Sequence, residues 1–564
     1  MTKITSQTRY NSKKNKTGHR EYFIVPTKKQ EELLKKTVEL AMKFYDGSLR
    51  DNKFLIYKPP KFFFKKLNRT IPENPIDVEK SLELLEEIGK YSISQFDKTY
   101  LSFPDSGNSL PGMMGSIFAK FINQNLSAFD RSAPIATVIE IQLIEWLREL
   151  IGYKSKELRD IETLSEVGGM CVTGGHMANH IGVMAALNNK FPEIGEKGLS
   201  NLNFSPVILL SKKISHYSFY EAAHHLGIGK ENVIDIPTTP HFTTDYVELK
   251  KILDSLPKNK VPFMIVGVAG NTKTGSLDDL NKLADLCKKY NLWFHVDACH
   301  GGSLLFSEKM KGKLLKGIEN ADSVSIDPHK GLFLPYPSSY ILFKKRDTLT
   351  IFSKHPEETR DKNIWELCLI TPFYGSRGFE SLSLWMLISV MGIRGIGEAV
   401  EYRSRIARYA ESLIENSGLF VKLNDMDFYR MAFVFCPKKF HNYLIKYGNK
   451  LDRKQKEAIV DLINRYGCGV NQKLYMSGEV CLDKYSLHDV GNKLNLNIEE
   501  KFLVMAITVG NPLYTRASVK TSLNKLFKEA EKIIPKFEKE FVSIIKEKHS
   551  ITEKLCDIGG PAGW

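Results

Sequence analysis

Ser323-Val-Ser-Ile-Asp-Pro-His-Lys-Gly331 decides how this chain is read: a short apolar run of β type stops abruptly at a Pro-His-Lys turn. An apolar run of that length, ended by proline, is the pattern of a buried strand. Lys330 is thereby presented at a strand exit. Burying a lysine with its charge is costly, and a desolvated amine becomes a usable nucleophile toward an aldehyde. Lys330 is therefore a candidate imine-forming residue. An ordinary surface lysine in a loop is the plainer alternative, and one lysine after a strand does not choose between them.

Three stretches upstream bear on that choice. Leu292-Trp-Phe-His-Val-Asp-Ala-Cys-His-Gly-Gly-Ser303 is a second apolar run, and it delivers one carboxylate, Asp297, at its end. A buried carboxylate needs a cationic partner. A protonated pyridine nitrogen is one such partner, and this pairing makes pyridoxal phosphate an electron sink; a helix N-cap is the alternative job for Asp297. The 33 positions between Asp297 and Lys330 leave room for one helix and one strand, as between neighbours in a parallel sheet. Gly168-Gly-Met-Cys-Val-Thr-Gly-Gly-His-Met-Ala-Asn-His180 is a glycine-rich turn leading into the helix-like run Ile181–Leu187. Its Gly175 and His176 are candidate phosphate contacts, since glycines admit backbone amides close to an anion at a helix start. The pattern is neither a Walker loop nor GxGxxG, and a plain strand-to-helix turn explains it equally. In Ser215-His-Tyr-Ser-Phe-Tyr-Glu-Ala-Ala-His-His-Leu-Gly227, His216 follows the apolar strand Val207–Leu210, where a flat imidazole could stack on a flat ring or serve as a structural histidine.

These four stretches, in this order and spacing, resemble the fold-type I pyridoxal phosphate enzymes, and among them the group II amino-acid decarboxylases, with sphingosine phosphate lyases as near relatives. The resemblance runs from about Tyr100 to about Pro512. It implies a PLP-transferase fold of the aspartate aminotransferase type, with a mostly parallel seven-stranded α/β sheet sandwiched by helices, a helical N-terminal segment and a small α+β C-terminal domain. It also implies pyridoxal 5'-phosphate as cofactor, an amino-acid substrate, and a homodimer with its active sites at the interface. Lys330 then holds the cofactor, Asp297 keeps its ring nitrogen protonated, His216 stacks on the ring, and His329 anchors the phosphate. Thr272, in Ala269-Gly-Asn-Thr-Lys-Thr-Gly275, matches a position close to the cofactor, with a β-turn threonine as alternative. Cys299 stands where decarboxylases commonly carry alanine against the second ring face. Ser376, in Tyr374-Gly-Ser-Arg-Gly-Phe-Glu380, matches a residue that reaches the phosphate of the opposite subunit, with a capping serine as alternative. Asp105 falls where relatives place a small polar residue near the substrate carboxylate; a turn-forming Asp is its plainer identity. The implied reaction is loss of the α-carboxylate, giving an amine and carbon dioxide. The mobile loop in which decarboxylases carry a proton-donating tyrosine corresponds to residues 347–367, which contain none; His355 and Glu358 lie there instead. Oxidative deamination to an aldehyde and carbon–carbon lysis are the alternatives that this departure keeps open, and a catalytically dead relative or a basic nucleic-acid binder on the same scaffold is the alternative from another class.

The rest of the chain frames the site. With 564 residues and 42% hydrophobic content it has material for several packed layers, and no uninterrupted apolar run approaches membrane length. Its 8 cysteines are scattered at 171, 287, 299, 368, 436, 468, 481 and 556 without metal-ligand spacing, so no metal site is expected, and reduced thiols in the cytoplasm are the simplest reading. The net charge of +15 is spread along the chain, which reads as a solvated lysine-rich surface rather than a nucleic-acid site. The segment carrying Lys13, Lys14, Lys16 and Arg20 is polar and expected to be disordered. Apolar spacing at 28–47 and 77–97 predicts helices there; the resemblance implies that this N-terminal segment packs on the partner subunit, and Lys61-Phe-Phe-Phe-Lys-Lys66 suits a buried contact there better than a membrane-surface patch. Domains are expected at 1–110, 111–390 and 391–564. Strands are expected at 206–210, 261–268, 292–296, 323–326, 339–343, 431–436 and 502–509, and helices at 134–150, 280–289, 397–415 and 516–531.

Overall fold

The computed structural model describes residues 22–68, 70–353 and 355–546. The basic start of the chain and the terminal Gly559–Trp564 lie outside the described residues. Twelve strands follow in chain order: β1 (Tyr100–Leu101), β2 (Gly169–Val172), β3 (Ser205–Leu210), β4 (Val233–Asp235), β5 (Lys260–Val268), β6 (Trp293–Asp297), β7 (Ser323–Ile326), β8 (Ser339–Phe343), β9 (Phe420–Lys422), β10 (Arg430–Phe435), β11 (Cys481–Leu487) and β12 (Phe502–Thr508).

The seven-stranded sheet has the order β2-β8-β7-β6-β5-β3-β4. Pairings from β7 through β6, β5 and β3 to β4 are parallel, while β8 runs antiparallel to both β7 and β2. The strands β6 and β7 are buried along their length because helices cover both faces, and the polar residues they carry, His295, Ser323 and Ser325, are hydrogen-bonded. β7 and β8 begin and end as the sequence pattern expects, since strands buried on both sides carry the clearest signal. The parallel register sets Asp297 opposite Val268 and Ser325, so the exits of β5, β6 and β7 open on one edge. A second sheet, β1-β11-β12-β10-β9, is antiparallel except for β1 against β11.

Several elements depart from the sequence pattern. The short strands β2, β4, β9 and β11 are legible only once paired, and the helix Arg453–Met476, which spaces Ile459, Ile463, Tyr466, Val470 and Leu474 along one buried face, is an element the sequence pattern carried and the reading above passed over. The last helix runs from Arg516 to Lys546, past Pro535. The helix expected at 397–415 is part of a longer one, Ser381–Ser417, broken at Gly392, whose φ of 63° is left-handed. By length and composition this helix is apolar enough to cross a membrane, with a best window of mean hydropathy 1.3 that is 39% buried, but Arg394 and Glu398 interrupt it, so the chain still carries no uninterrupted apolar run of membrane length. It packs against the helices Leu110–Ile122, Pro134–Ile151 and Arg516–Lys546.

The chain forms two compact units, one of residues 98–474 and 480–564 with both sheets, the other of residues 1–97 and 475–479. In the smaller unit the helices Lys28–Asp46, Pro60–Leu67 and Ser81–Tyr91 bury none of their residues. Phe62 and Phe63 pack on Tyr91, while Phe64 is 74% exposed.

Candidate active site

β6 ends in Asp297, which is buried. Its Oδ2 accepts from Asn179 Nδ2 at 3.0 Å and its Oδ1 from the Cys299 amide at 3.1 Å. Among the described residues no Lys or Arg ion-pairs with it. Behind it runs a neutral relay in which Asn179 Oδ1 accepts from Ser325 Oγ at 2.7 Å and from His295 Nε2 at 3.1 Å, and His295 Nδ1 accepts from Ser323 Oγ at 2.8 Å. Burial pushes His295 down to about 4, so it is a neutral member of that relay. Asn179 also donates to Ser218 Oγ at 3.0 Å, which ties the relay to the helix after His216.

Asp327 follows the end of β7, and one turn of helix, Pro328–Gly331, carries Lys330 back over it. Lys330 Nζ lies 3.0 Å from Asp327 Oδ2. The expectation that desolvation frees this amine is corrected by the structure. Burial opposes the charge, but Asp327 holds Lys330 well above the ordinary lysine range. The resting amine is an ion-paired ammonium.

Lys330 and Asp297 line one open cleft of about 320 Å³ together with Gly175, His176, His216, Thr272 and Cys299, so seven of the residues singled out from sequence converge. His216 Nδ1 accepts from the Ser218 amide at 3.2 Å, which leaves the proton on Nε2. Burial pushes its pKa down to about 4, so the ring is neutral. Gly175 opens the helix Gly175–Lys190, and a side chain there would collide with Cys299 Sγ and the Asp327 carboxylate. Cys299 Sγ lies 3.6 Å from Ser325 Oγ, and burial pushes its thiol far up, so it is a small neutral wall. His176 pairs with Glu221 at 2.8 Å.

Two residues stand elsewhere. Successive helical residues point about 100° apart, so with Lys330 facing the cleft, His329 turns away: its Nδ1 donates to the Ser338 carbonyl at 2.7 Å and its ring lies 4.4 Å from Tyr336. Ser376 is exposed and accepts from Asn125 Nδ2 at 3.2 Å, outside the cleft of its own chain. Its segment is pinned by a bidentate pair of Arg377 with buried Glu140, at 2.6 and 2.8 Å. Asp105 makes no turn bond but accepts from the Tyr336 hydroxyl. Sequence reasoning passed over Asn179, Ile214, Gly270, Asn271 and His300, which with Val268 at the end of β5 complete the cleft, and over Asp327 beside Lys330. Asn179 sits in the quoted glycine-rich stretch, but an amide gives no signal until its partners are in place. His300 Nδ1 is 2.7 Å from the Tyr429 hydroxyl, and burial pushes its pKa well down.

The pyridoxal-dependent decarboxylase conserved domain matches residues 60–435. An aromatic-L-amino-acid decarboxylase of Bacillus atrophaeus is 30% identical over 360 residues, 62% of this chain and 70% of the relative. An L-aspartate decarboxylase of Metarhizium robertsii is 26% identical over 388 residues, 67% of this chain and 74% of the relative. The crystal structure of mouse CSAD in apo form superposes with a TM-score of 0.77 at 22% identity, covering 89% of this chain and 99% of that one, and shares the fold. The chain belongs to the pyridoxal-dependent decarboxylase family, the group II amino-acid decarboxylases. Its cofactor is pyridoxal 5'-phosphate and its reaction the decarboxylation of an L-amino acid.

The residues present fit that cofactor. Asp297 is a buried anion held by neutral donors alone, which suits a protonated ring nitrogen. The side-chain-free approach at Gly175 suits a phosphate at a helix N-terminus.

Proposed function

We propose that Lys330 binds the cofactor's aldehyde carbon covalently, that Asp297 pairs with its ring nitrogen, and that Gly175 and His176 receive its phosphate. When bound, the cofactor draws the electron pair of the broken α-carbon bond into its ring. The chain's own work is electrostatic and geometric. Asp297 is aimed by Asn179 and the Cys299 amide, so no reorganisation is needed as charge develops. Neutral His216 offers a flat face without competing for the charge of Asp297. Cys299 and Thr272 close the walls, and Asp327 keeps Lys330 protonated until it reacts. The buried, cation-free carboxylate of Asp297 facing the same cleft as Lys330 is the observation that carries this reading.

We infer a homodimer, on two grounds. The helix Leu110–Ile122 exposes Leu110, Met114, Ile117, Phe118 and Phe121 on the larger unit, and the helices of the smaller unit bury none of their residues. Exposed apolar surface of that kind marks a protein interface. Ser376, exposed on its own chain, and His329 are the residues whose proposed phosphate contacts depend on that assembly or on rearrangement. We place functional boundaries at 110/111 and at 390/391, the latter supported by the break at Gly392. Among the described residues, the thiols of Cys171, Cys287, Cys299, Cys368, Cys436 and Cys481 are free, which supports a cytoplasmic setting.

Purified protein incubated with a panel of acidic, aromatic, neutral and basic L-amino acids should release carbon dioxide and the matching amine from one class. Hydrogen peroxide in stoichiometric yield would instead assign the oxidative branch. A Lys330→Ala variant should lose covalent trapping of the cofactor under borohydride; retained trapping would remove Lys330 from its role.

A further inference from the structure

His300 lines the cleft just beyond Asp297, is buried, and has no part in the roles proposed above. One contact sets its ring: Nδ1 lies 2.7 Å from the Tyr429 hydroxyl, with the two ring planes 20° apart. Among the described residues neither the His300 ring nor the Tyr429 hydroxyl has a second hydrogen-bond partner. Counting donors and acceptors then places the proton. A buried O–H has to donate, and Nδ1 is the acceptor that Tyr429 is offered. Neutral imidazole whose Nδ1 lone pair is taken carries its hydrogen on Nε2, and charged imidazole carries one there as well. In both cases Nε2 is an N–H donor. The two ring nitrogens point to opposite sides, so with Nδ1 turned back on Tyr429, Nε2 opens onto the cleft.

Arg403 stands behind Tyr429. It is 1% exposed, and its guanidinium carbon lies 5.4 Å from the centre of the Tyr429 ring and 4.9 Å from that of Phe333. Its Nε and Nη1 have no hydrogen-bond partner, and among the described residues no carboxylate ion-pairs with it. A buried cation without a counter-charge is expensive. Here it falls on the face of the phenol that orients His300, where it draws electron density from the ring and strengthens the O–H as a donor.

We propose that His300 is a binding residue of the cleft that presents a fixed Nε2–H to an anionic oxygen of the bound molecules, with Tyr429 and Arg403 as its positioning residues. The role rests on the cofactor placement proposed above. Two oxygens of that chemistry enter the cleft, the ring oxygen of the cofactor and the α-carboxylate of the amino acid. Burial and the charge of Lys330 hold His300 neutral, so it gives either oxygen a hydrogen bond without adding a second cation near Asp297.

His300→Phe keeps a flat ring and removes the donor. Titrated into the cofactor-free protein, pyridoxal 5'-phosphate should bind about 10-fold more weakly if the oxygen is the cofactor's. If it is the substrate's, cofactor affinity should stay and KM for the amino acid found by the panel should rise by that factor. His300→Gln, whose side-chain amide can replace Nε2–H, should recover most of the loss. Tyr429→Phe lets the imidazole hydrogen move to Nδ1 and should weaken the same binding by about 3-fold, with no further loss when combined with His300→Phe. Unchanged cofactor affinity together with unchanged KM in His300→Phe would overturn the proposal. So would His300→Gln that binds no better than His300→Phe, or a Tyr429→Phe loss that persists undiminished beside His300→Phe. If His300→Phe fails to fold, unaltered affinity and KM in Tyr429→Phe would do the same. Cofactor trapping that survives Lys330→Ala would instead sink the cofactor placement itself.

Discussion

Asp297 and Asp327 stand at the exits of neighbouring strands on the same sheet edge, both are buried, and the protein treats them in opposite ways. Asp327 receives its counter-charge from within, Lys330 at 3.0 Å. Asp297 receives only an amide and a backbone N–H. An internal ion pair settles the electrostatics of the empty protein, whereas an anion held by neutral donors keeps its field available for a ligand cation. The site is therefore recognised by which of two similar carboxylates the fold leaves unpaired.

The comparison can be broken most severely at the unpaired carboxylate. Asp297→Ala should reduce kcat by about 10³-fold, the scale expected when one preorganised charge is removed, while thermal unfolding of the cofactor-free protein hardly changes; comparable losses in both would make Asp297 structural. Asp327→Asn should do the reverse to stability. Left without its partner in a buried setting, Lys330 should destabilise the cofactor-free protein by about 3 kcal/mol and drop in pKa, seen as cofactor capture persisting to lower pH; an unchanged melt would dissolve the contrast. The mildest test concerns the relay behind Asp297. His295 has its pKa depressed from 6.5 to about 4 in the folded state, so its contribution is present above 6.5 and lost as pH falls toward 4. Stability should fall by about 1.4 kcal/mol at about pH 5.5 from this residue alone, and His295→Asn should flatten that part of the curve in chemical denaturation. The Asp327–Lys330 pair has no titration in that window.

Elements buried on both faces were legible from the chain because continuous apolar runs ending in Pro or Gly leave little choice of structure. That is why β7, β8 and the residues at strand exits, Lys330, Asp297, His216, Cys299 and Thr272, could be named beforehand. The short edge strand β4 and the strands β9 and β11 could not, because their pairing is set by partners far away in sequence. His329 shows the finer limit: it is adjacent to Lys330 in the chain, yet helical geometry turns it from the cleft.

The order and spacing of the quoted stretches determined by themselves the family and the sheet edge to which Lys330 is delivered, since a strand that must be buried delivers whatever residue follows it to one edge. Tertiary structure alone decided which charges are paired. Hydrogen-bond partners such as Asn179 for Asp297 and Tyr336 for Asp105 are matters of a few ångströms across segments that the sequence keeps 118 and 231 positions apart, and even Asp327 meets Lys330, three positions on, only because a helical turn closes there.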